Sequence, residues 1–183
     1  MSPASGILLL AAPALLDSNF KRAVVFLAQH GEEGTLGYVL NRPLETTLAE
    51  IVPDDVYGFD APLYWGGPCQ NDTLHCIHNV GTHIPGAAEI TEGVYWGGDF
   101  EVIRDLIVAG GASSDDFRFF IGYAGWGSGQ LDEEIKQTSW VLTDSSPHIV
   151  FPETVKNLWT RTLKDMGGEY RILASTPEHP SLN

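Results

Sequence analysis

Apolar positions along the chain fall into two periods. The run Ile7–Leu16 (ILLLAAPALL) is nearly all apolar and too short for a buried helix of ordinary length, so it reads as a buried strand and its turn. Residues 22–30 (RAVVFLAQH) and 35–41 (TLGYVLN) read as two strands joined through Gly31-Glu32-Glu33-Gly34 as a hairpin. Asn41-Arg42-Pro43 stops the second strand, and residues 47–52 (TLAEIV) read as a short helix. Leu63-Tyr64-Trp65 is a strand end, residues 93–96 (GVYW) a brief strand, and residues 73–80 a strand with Leu74, Cys76 and His78 on one side.

The period changes at Asp99. In DFEVIRDLIVAGG, Phe100, Ile103 and Ile107 share a helix face, Asp99 can accept from the first free N–H groups, and Gly110-Gly111 end the helix. Residues 118–125 (RFFIGYAG) are a core strand, 130–137 a helical turn or two, and 139–144 (SWVLTD) another strand. The strongest helix runs over 152–168, with Pro152 at its first position and Val155, Leu158, Trp159, Thr162, Leu163 and Met166 as its stripe. Residues 170–174 (YRILA) close as a strand, and Ser175–Asn183, with Pro177 and Pro180, is a loose tail. Strands outnumber helices and βαβ alternation is absent. The fold class is therefore α+β: a single domain over 1–183 with its core at about 6–174. Its mixed sheet is flanked by helices and curls toward a barrel.

Charge narrows the function classes. The 183 residues carry 24 acids against 10 bases, a formal net charge of −14, and the longest basic run is Lys21-Arg22. Nucleic-acid affinity comes mostly from Lys and Arg on phosphates, so direct binding to DNA or RNA is disfavoured, as is an anionic membrane. The apolar N-terminal run lacks the preceding positive charges of a secretory signal and is too short to span a bilayer. Two cysteines, Cys69 and Cys76, make no disulfide framework and fit reduced thiols in the cytoplasm.

Four glycines between Gly122 and Gly129 lead into QLDEE, which raises phosphate binding. A P-loop needs a lysine that is absent here. A dinucleotide fingerprint fails at Gln130, and a nucleophile elbow fails because Trp126 stands two residues before Ser128. Asp132, Glu133 and Glu134 would repel a phosphate at that helix start. The expectation is scaffold: a loop turning sharply so that Trp126 lies against the sheet. YWGG occurs at Tyr64–Gly67 and at Tyr95–Gly98, read as two strand ends that each need a glycine turn under a tryptophan. On a strand, His75 and His78 point to opposite faces and, with Cys69, Cys76 and His83, give no metal set. The acid pairs Asp54-Asp55 and Asp115-Asp116 read as solvated faces, and Asn41-Arg42 sets an amide and a guanidinium at a strand rim: the favoured reading pairs Arg42 with one of the chain's many acids, and the alternative is that the two hold a carboxylate or phosphate.

Taken in order, LLLAAPALLDSNFKRAVVFL, GYVLNRP, WGGP, Leu74-His75 and GYAGWGSGQLDEE resemble the YqgE/AlgH family of bacterial proteins, from about Gly6 onward. The chain departs from the family pattern at Cys69, where Val is usual, at Gly31, where Asn is common, and at Asp132, where Glu is usual. The resemblance implies a cytosolic α+β domain with a bifurcated, partly barrel-like sheet, and some members are described as transcriptional regulators. The expectation is thus a non-enzymatic regulatory or binding domain, acting on a protein or small molecule, with indirect transcriptional regulation as one form. It expects no cofactor, no metal and no catalytic residue. The candidate rim is Asn41, Arg42, Gly66, Gly67, Trp126 and Gln130. The alternatives are a hydrolase-like enzyme, using His75 or the acidic cluster, and a nucleotide-binding protein.

Overall fold

The computed structural model describes residues 1–15, 17–52 and 61–177. Leu16, the acid pair Asp54-Asp55 and tail residues 178–183 lie outside the described residues. The strands are β1 (Ile7–Ala11), β2 (Val24–Gly31), β3 (Gly34–Val39), β4 (Pro43–Thr47), β5 (Pro62–Trp65), β6 (Cys69–His78), β7 (Ala88–Thr91), β8 (Val94–Trp96), β9 (Phe117–Gly127) and β10 (Trp140–Asp144). The helices are α1 (Leu48–Ile51), α2 (Phe100–Val108), α3 (Gln130–Lys136), α4 (Pro147–Val150), α5 (Leu158–Met166) and α6 (Tyr170–Leu173). The hairpin and the Asp99 cap on Glu101 form where the sequence places them, and α1 also carries a capping box of Thr47 with Glu50.

One sheet runs in the order β10-β1-β2-β3-β9-β6-β8-β7, and it divides at β9. The far end of β9 pairs with β3, from Gly34 against Gly127 to Gly37 against Ala124. Its near end leaves β3 and pairs in parallel with β5, Leu63 against Phe119 and Trp65 against Ile121, while β4 pairs with β5 beyond. The other edge of β9 carries β6. The sheet is therefore mixed and bifurcated, as the family resemblance implies.

Both faces of β1 and β2 are covered, which explains why their sequence is a continuous apolar run rather than an alternation. Leu8, Leu10, Phe26, Tyr38 and Phe120 pack on one face with Trp159 and Leu163 of α5. Leu9, Val25, Leu27 and Val39 pack on the other with Leu131, Trp126 and Trp140. Leu63 and Phe119 form a third layer under Ile103 and Ile107 of α2. Each such fully buried side chain contributes about 1.5–3 kcal/mol.

Several expectations are corrected. The core strand read over 118–125 runs on to Gly127, so the loop expected over Gly122–Gly129 shrinks to Ser128 and Gly129, and Gly129 stands in the left-handed region before α3. The long helix begins at Leu158 rather than Pro152, because Asn157 sits at φ 59 and breaks the helical path; α4 forms upstream instead, with Pro147 in its first turn. YRILA is helical: Gly167 and Gly168, both at positive φ, reverse the chain, and a five-residue apolar run does not distinguish a strand from one helical turn. Ser175 and Thr176 are tied rather than loose, their N–H groups donating to the carbonyls of Ile172 and Leu173. β4 and β7 are strands that the polar, broken pattern of their residues conceals.

Candidate functional site

Six rim residues were expected to meet; no one of the cavities described below holds them all, although the Trp65 N–H donates to the Arg42 carbonyl at 2.8 Å and so joins that turn to the one at Gly66. Gly66 and Gly67 lie buried where the sheet divides. The Gly66 N–H donates to the Ile121 carbonyl, and its own carbonyl accepts from Val39, so three strands meet at this residue. A Cβ on Gly66 would stand 2.2 Å from the Gly122 carbonyl oxygen, and one on Gly67 2.1 Å from the Tyr123 carbonyl carbon. Gly122, at φ +69, answers from the other side: its Cβ would stand 2.7 Å from the Gly67 oxygen. These glycines serve the close approach of one backbone to another, not the seating of an indole above them. They line none of the cavities described below.

Trp126 and Gln130 belong to a separate cluster. Trp126 packs with Phe20, at a centroid distance of 6.1 Å, and with Trp140, at 5.9 Å. Glu134 Oε2 accepts from both indoles, Trp126 Nε1 at 3.0 Å and Trp140 Nε1 at 2.8 Å. Gln130 closes this network, donating to Glu134 Oε1 and accepting the Gly127 N–H, each at 3.0 Å. The Gly127 amide, one of those a phosphate on the glycine segment would need, is thus taken by a side chain. Trp126 also lines a cavity of 350 Å³ with Thr35, Cys69 and Tyr123.

Asn41 and Arg42 stand at a third place. Asn41 brackets two strands: its Oδ1 accepts from Val24 N–H at 2.9 Å, and its Nδ2 donates to the Arg22 carbonyl at 2.8 Å. Arg42 donates to the carbonyls of Lys21 and Asn41. Both residues line a cavity of 670 Å³ with Lys21, Arg22, Lys156 and the start of α5, Asn157 to Thr160. Four of the chain's ten basic residues therefore surround one cavity of a protein whose net charge is −14. No Asp or Glu lines it among the described residues. The first turn of a helix leaves N–H groups without intrahelical partners and carries partial positive charge. The N-cap residue of α5, Asn157, makes no side-chain hydrogen bond to that turn. Arg22 lies 4.8 Å over the Trp159 ring and donates to the Thr176 carbonyl. Sequence reasoning found Asn41 and Arg42 but missed Lys21, Arg22 and Lys156; the Lys21-Arg22 doublet was the available signal.

His75, His78 and Arg118 make structural contacts. His75 Nε2 lies 2.8 Å from Thr73 Oγ1, and its ring packs on Tyr38 and Tyr123, so its hydrogen-bond partner is a hydroxyl rather than the carboxylate that a hydrolytic pair requires. His78 faces the opposite layer, stacked on Tyr95, with Nε2 3.2 Å from the Gly97 carbonyl oxygen. Burial lowers both imidazole pKa values. Arg118 is buried, donates to the carbonyls of Val150 and Leu40, and lies 4.0 Å over the Tyr64 ring. Desolvation pushes its pKa down to about 10, against an opposing pull from Tyr64, so it remains a cation at neutral pH. Burial raises the Cys76 thiol pKa far above its ordinary value, while Cys69 is only half-buried. Among the described residues no cluster of His, Cys, Asp or Glu could hold a metal ion, and no helix is long and apolar enough to cross a membrane.

Comparison with known proteins places this geometry among relatives. The AlgH-like family model matches residues 8–171. A UPF0301 protein of Chlorobium limicola is 44% identical over 180 residues, covering 97% of this chain and 95% of its own length. A UPF0301 protein of Bacteroides fragilis is 38% identical over 181 residues, covering 99% and 92%. The solution structure of AlgH from Pseudomonas aeruginosa superposes with a TM-score of 0.74 at 28% identity, covering 98% of each chain. A crystal structure from Corynebacterium diphtheriae gives 0.77 at 20% identity, covering 96% of this chain and 94% of that one, and it speaks to fold alone.

Proposed function

The chain belongs to the AlgH-like family, and we propose that it is a non-enzymatic, cytoplasmic binding domain of regulatory type. Its ligand carries a phosphate or carboxylate group, held in the cavity between the Asn41-Arg42 corner and the start of α5. The observation that carries this reading is the gathering of Lys21, Arg22, Arg42 and Lys156 around the first turn of a nine-residue helix. Cations and a helix N-terminus are the two devices by which proteins hold anions, and here they converge. The rest of the molecule is acidic, so an anion is repelled from most of the surface and favoured at this one concavity. Any influence on transcription is indirect, since a surface of this charge does not hold DNA. Of the expected rim, Asn41 and Arg42 belong to this site; Gly66 and Gly67 shape the sheet that supports it, and Trp126 and Gln130 stand in another cluster.

The test is a titration of the labelled chain with inorganic phosphate and with malonate at low salt, followed by amide NMR. The amides of Trp159 and Thr160 and the Asn41 side chain should shift together and saturate. Lys156 is exposed, so Lys156→Glu leaves the fold intact. Reversing one charge a few Å from the anion in a solvated site costs about 1–1.5 kcal/mol, hence about tenfold in affinity. Shifts that never saturate, or the same affinity in Lys156→Glu, would refute the site.

A further inference from the structure

A second surface, independent of the anion cavity, lies at the open end of the sheet. β10 is an edge strand, as β7 is at the other end of the order: β1 pairs with one side of it and no strand covers the other among the described residues. The hydrogen bond from Ala12 N–H to the Ser139 carbonyl, at 2.8 Å, fixes the phase of the β1–β10 ladder. Antiparallel ladders alternate, so Val141 and Thr143 exchange bonds with β1, while the N–H and C=O groups of Trp140, Leu142 and Asp144 point outward. An uncovered row of this kind is a template for another strand.

The space beside that edge is already shaped for one. A groove of 540 Å³ runs along β10. On one face of the strand its wall is Ile135 of α3 with Trp140 and Leu142; on the other it is Tyr170 and Leu173 of α6 with Val141. An incoming strand would meet main-chain groups in the plane of the sheet and apolar side chains above and below it. That combination suits an extended peptide with apolar residues at alternating positions, since main-chain bonds give affinity and side-chain pockets give specificity.

We propose that β10 and its groove dock an extended, basic segment of a partner protein as an added strand. Charge selects this occupant. Asp144 is exposed at one end of the edge, Glu169 and Arg171 flank Tyr170 and offset one another, Met1 lines the groove, and the chain as a whole carries −14, so the attraction comes from Asp144 and the net charge. A second copy of this chain would bring another −14 against the first, whereas a lysine-bearing segment is attracted.

The test uses the full chain and a seven-residue peptide of alternating Val and Thr with Lys at both ends. Amide NMR should show the N–H groups of Trp140, Leu142 and Asp144 shifting and gaining exchange protection on binding. The same peptide with Glu at both ends should bind at least tenfold more weakly, and one with a central proline should not bind. Leu142→Pro removes an outward N–H while leaving the bonds to β1, and should abolish docking. If that variant fails to fold, Thr138→Arg serves: Thr138 is exposed on the groove rim, and the added cation should weaken the Lys peptide severalfold while sparing the Glu peptide. Equal affinity for the two peptides, indifference to Thr138→Arg, or shifts elsewhere than β10 would overturn the proposal. So would a dimer formed through β10, or contact of residues 178–183 with Trp140 in the free chain. Phosphate titration reads a different set of amides, so each site stands or falls alone.

Discussion

Removing the carboxylate of Glu134 should destabilise the fold far more than its surface position suggests. One of its oxygens accepts from the indoles of Trp126 and Trp140, which are 6% and 5% exposed. Glu134→Ala leaves both indole N–H groups without that acceptor. A buried donor left unsatisfied costs about 1–3 kcal/mol, and because Glu134 is itself half-buried, water can relieve part of this. The expected loss is about 2–4 kcal/mol. Glu134→Gln keeps an acceptor oxygen in place but loses its charge, and charge-assisted bonds are roughly twice as strong as neutral ones, so it should lose about 1 kcal/mol. Glu133→Ala, one residue earlier on the same helix, breaks only an exposed contact to Lys136 and should change stability by less than about 0.5 kcal/mol. Urea denaturation at fixed pH, followed by circular dichroism, ranks the three. In a chain of 183 residues the alanine variant should also melt roughly 5–15 °C lower. If Glu134→Ala proves as mild as Glu133→Ala, or no worse than Glu134→Gln, the bridge between the indoles does not hold this face together.

Two further outcomes follow from the core. Gly67→Ala should yield no folded protein, since its Cβ would lie 2.1 Å from backbone, while Gly129→Ala, at φ +72 with nothing within 4 Å, should fold and lose about 1 kcal/mol; a native-like amide spectrum for Gly67→Ala refutes the close approach. His78 has a folded-state pKa below its unfolded value because burial disfavours the imidazolium, so its contribution is complete above about pH 6.5 and declines as the pH falls through that value toward the folded pKa. The stability difference between the natural chain and His78→Phe, from urea midpoints between pH 8 and 5, should therefore shrink on acidification; a difference that grows refutes it.

The division between legible and illegible structure has a physical cause. β1, β2 and β3 were readable because burial imposes a long apolar run or a strong β pattern on a strand of that position, and α2 because its face and caps are local. The bifurcation was not readable from periodicity. It rests on pairings such as Leu63 with Phe119 and Val39 with Gly66, which are far apart in sequence and leave no local period. The reading of the glycine-rich segment as scaffold rests on a reason that the structure shows to be incomplete. Gly122 is there because Gly67 and Cys69 carbonyls approach it, and no reading of Gly122–Gly129 alone contains residues 67 and 69. The start of α5 was misplaced because Val155 continues the apolar stripe, while Asn157 tolerates the left-handed conformation that ends it, a choice made by tertiary context. The same event brings Lys156 and the α5 N-terminus to Asn41 and Arg42, so the error in the helix boundary and the omission of Lys156 from the candidate site are one error.

That cavity is also held in shape by bonds that need no ligand. Asn41 fixes the Arg22 and Val24 backbone, and Trp159 Nε1 donates to the Ala11 carbonyl at 2.9 Å, anchoring the first turn of α5 to β1. Arg22 and Asn157, both lining the cavity, sit at positive φ, 54° and 59°; the conformation costs Arg22 about 1–2 kcal/mol and asparagine, whose short amide favours it, less. A flexible basic patch would lose side-chain and backbone entropy on gripping an anion, about 0.5–1.5 kcal/mol for each side chain immobilised. Here much of that ordering has already been met by folding: Arg22 is laid over Trp159 and bonded to Thr176, and Arg42 is bonded to the Lys21 and Asn41 carbonyls. On the proposed reading, an anion that meets guanidinium groups already fixed in this way costs less ordering than one gripped by free side chains.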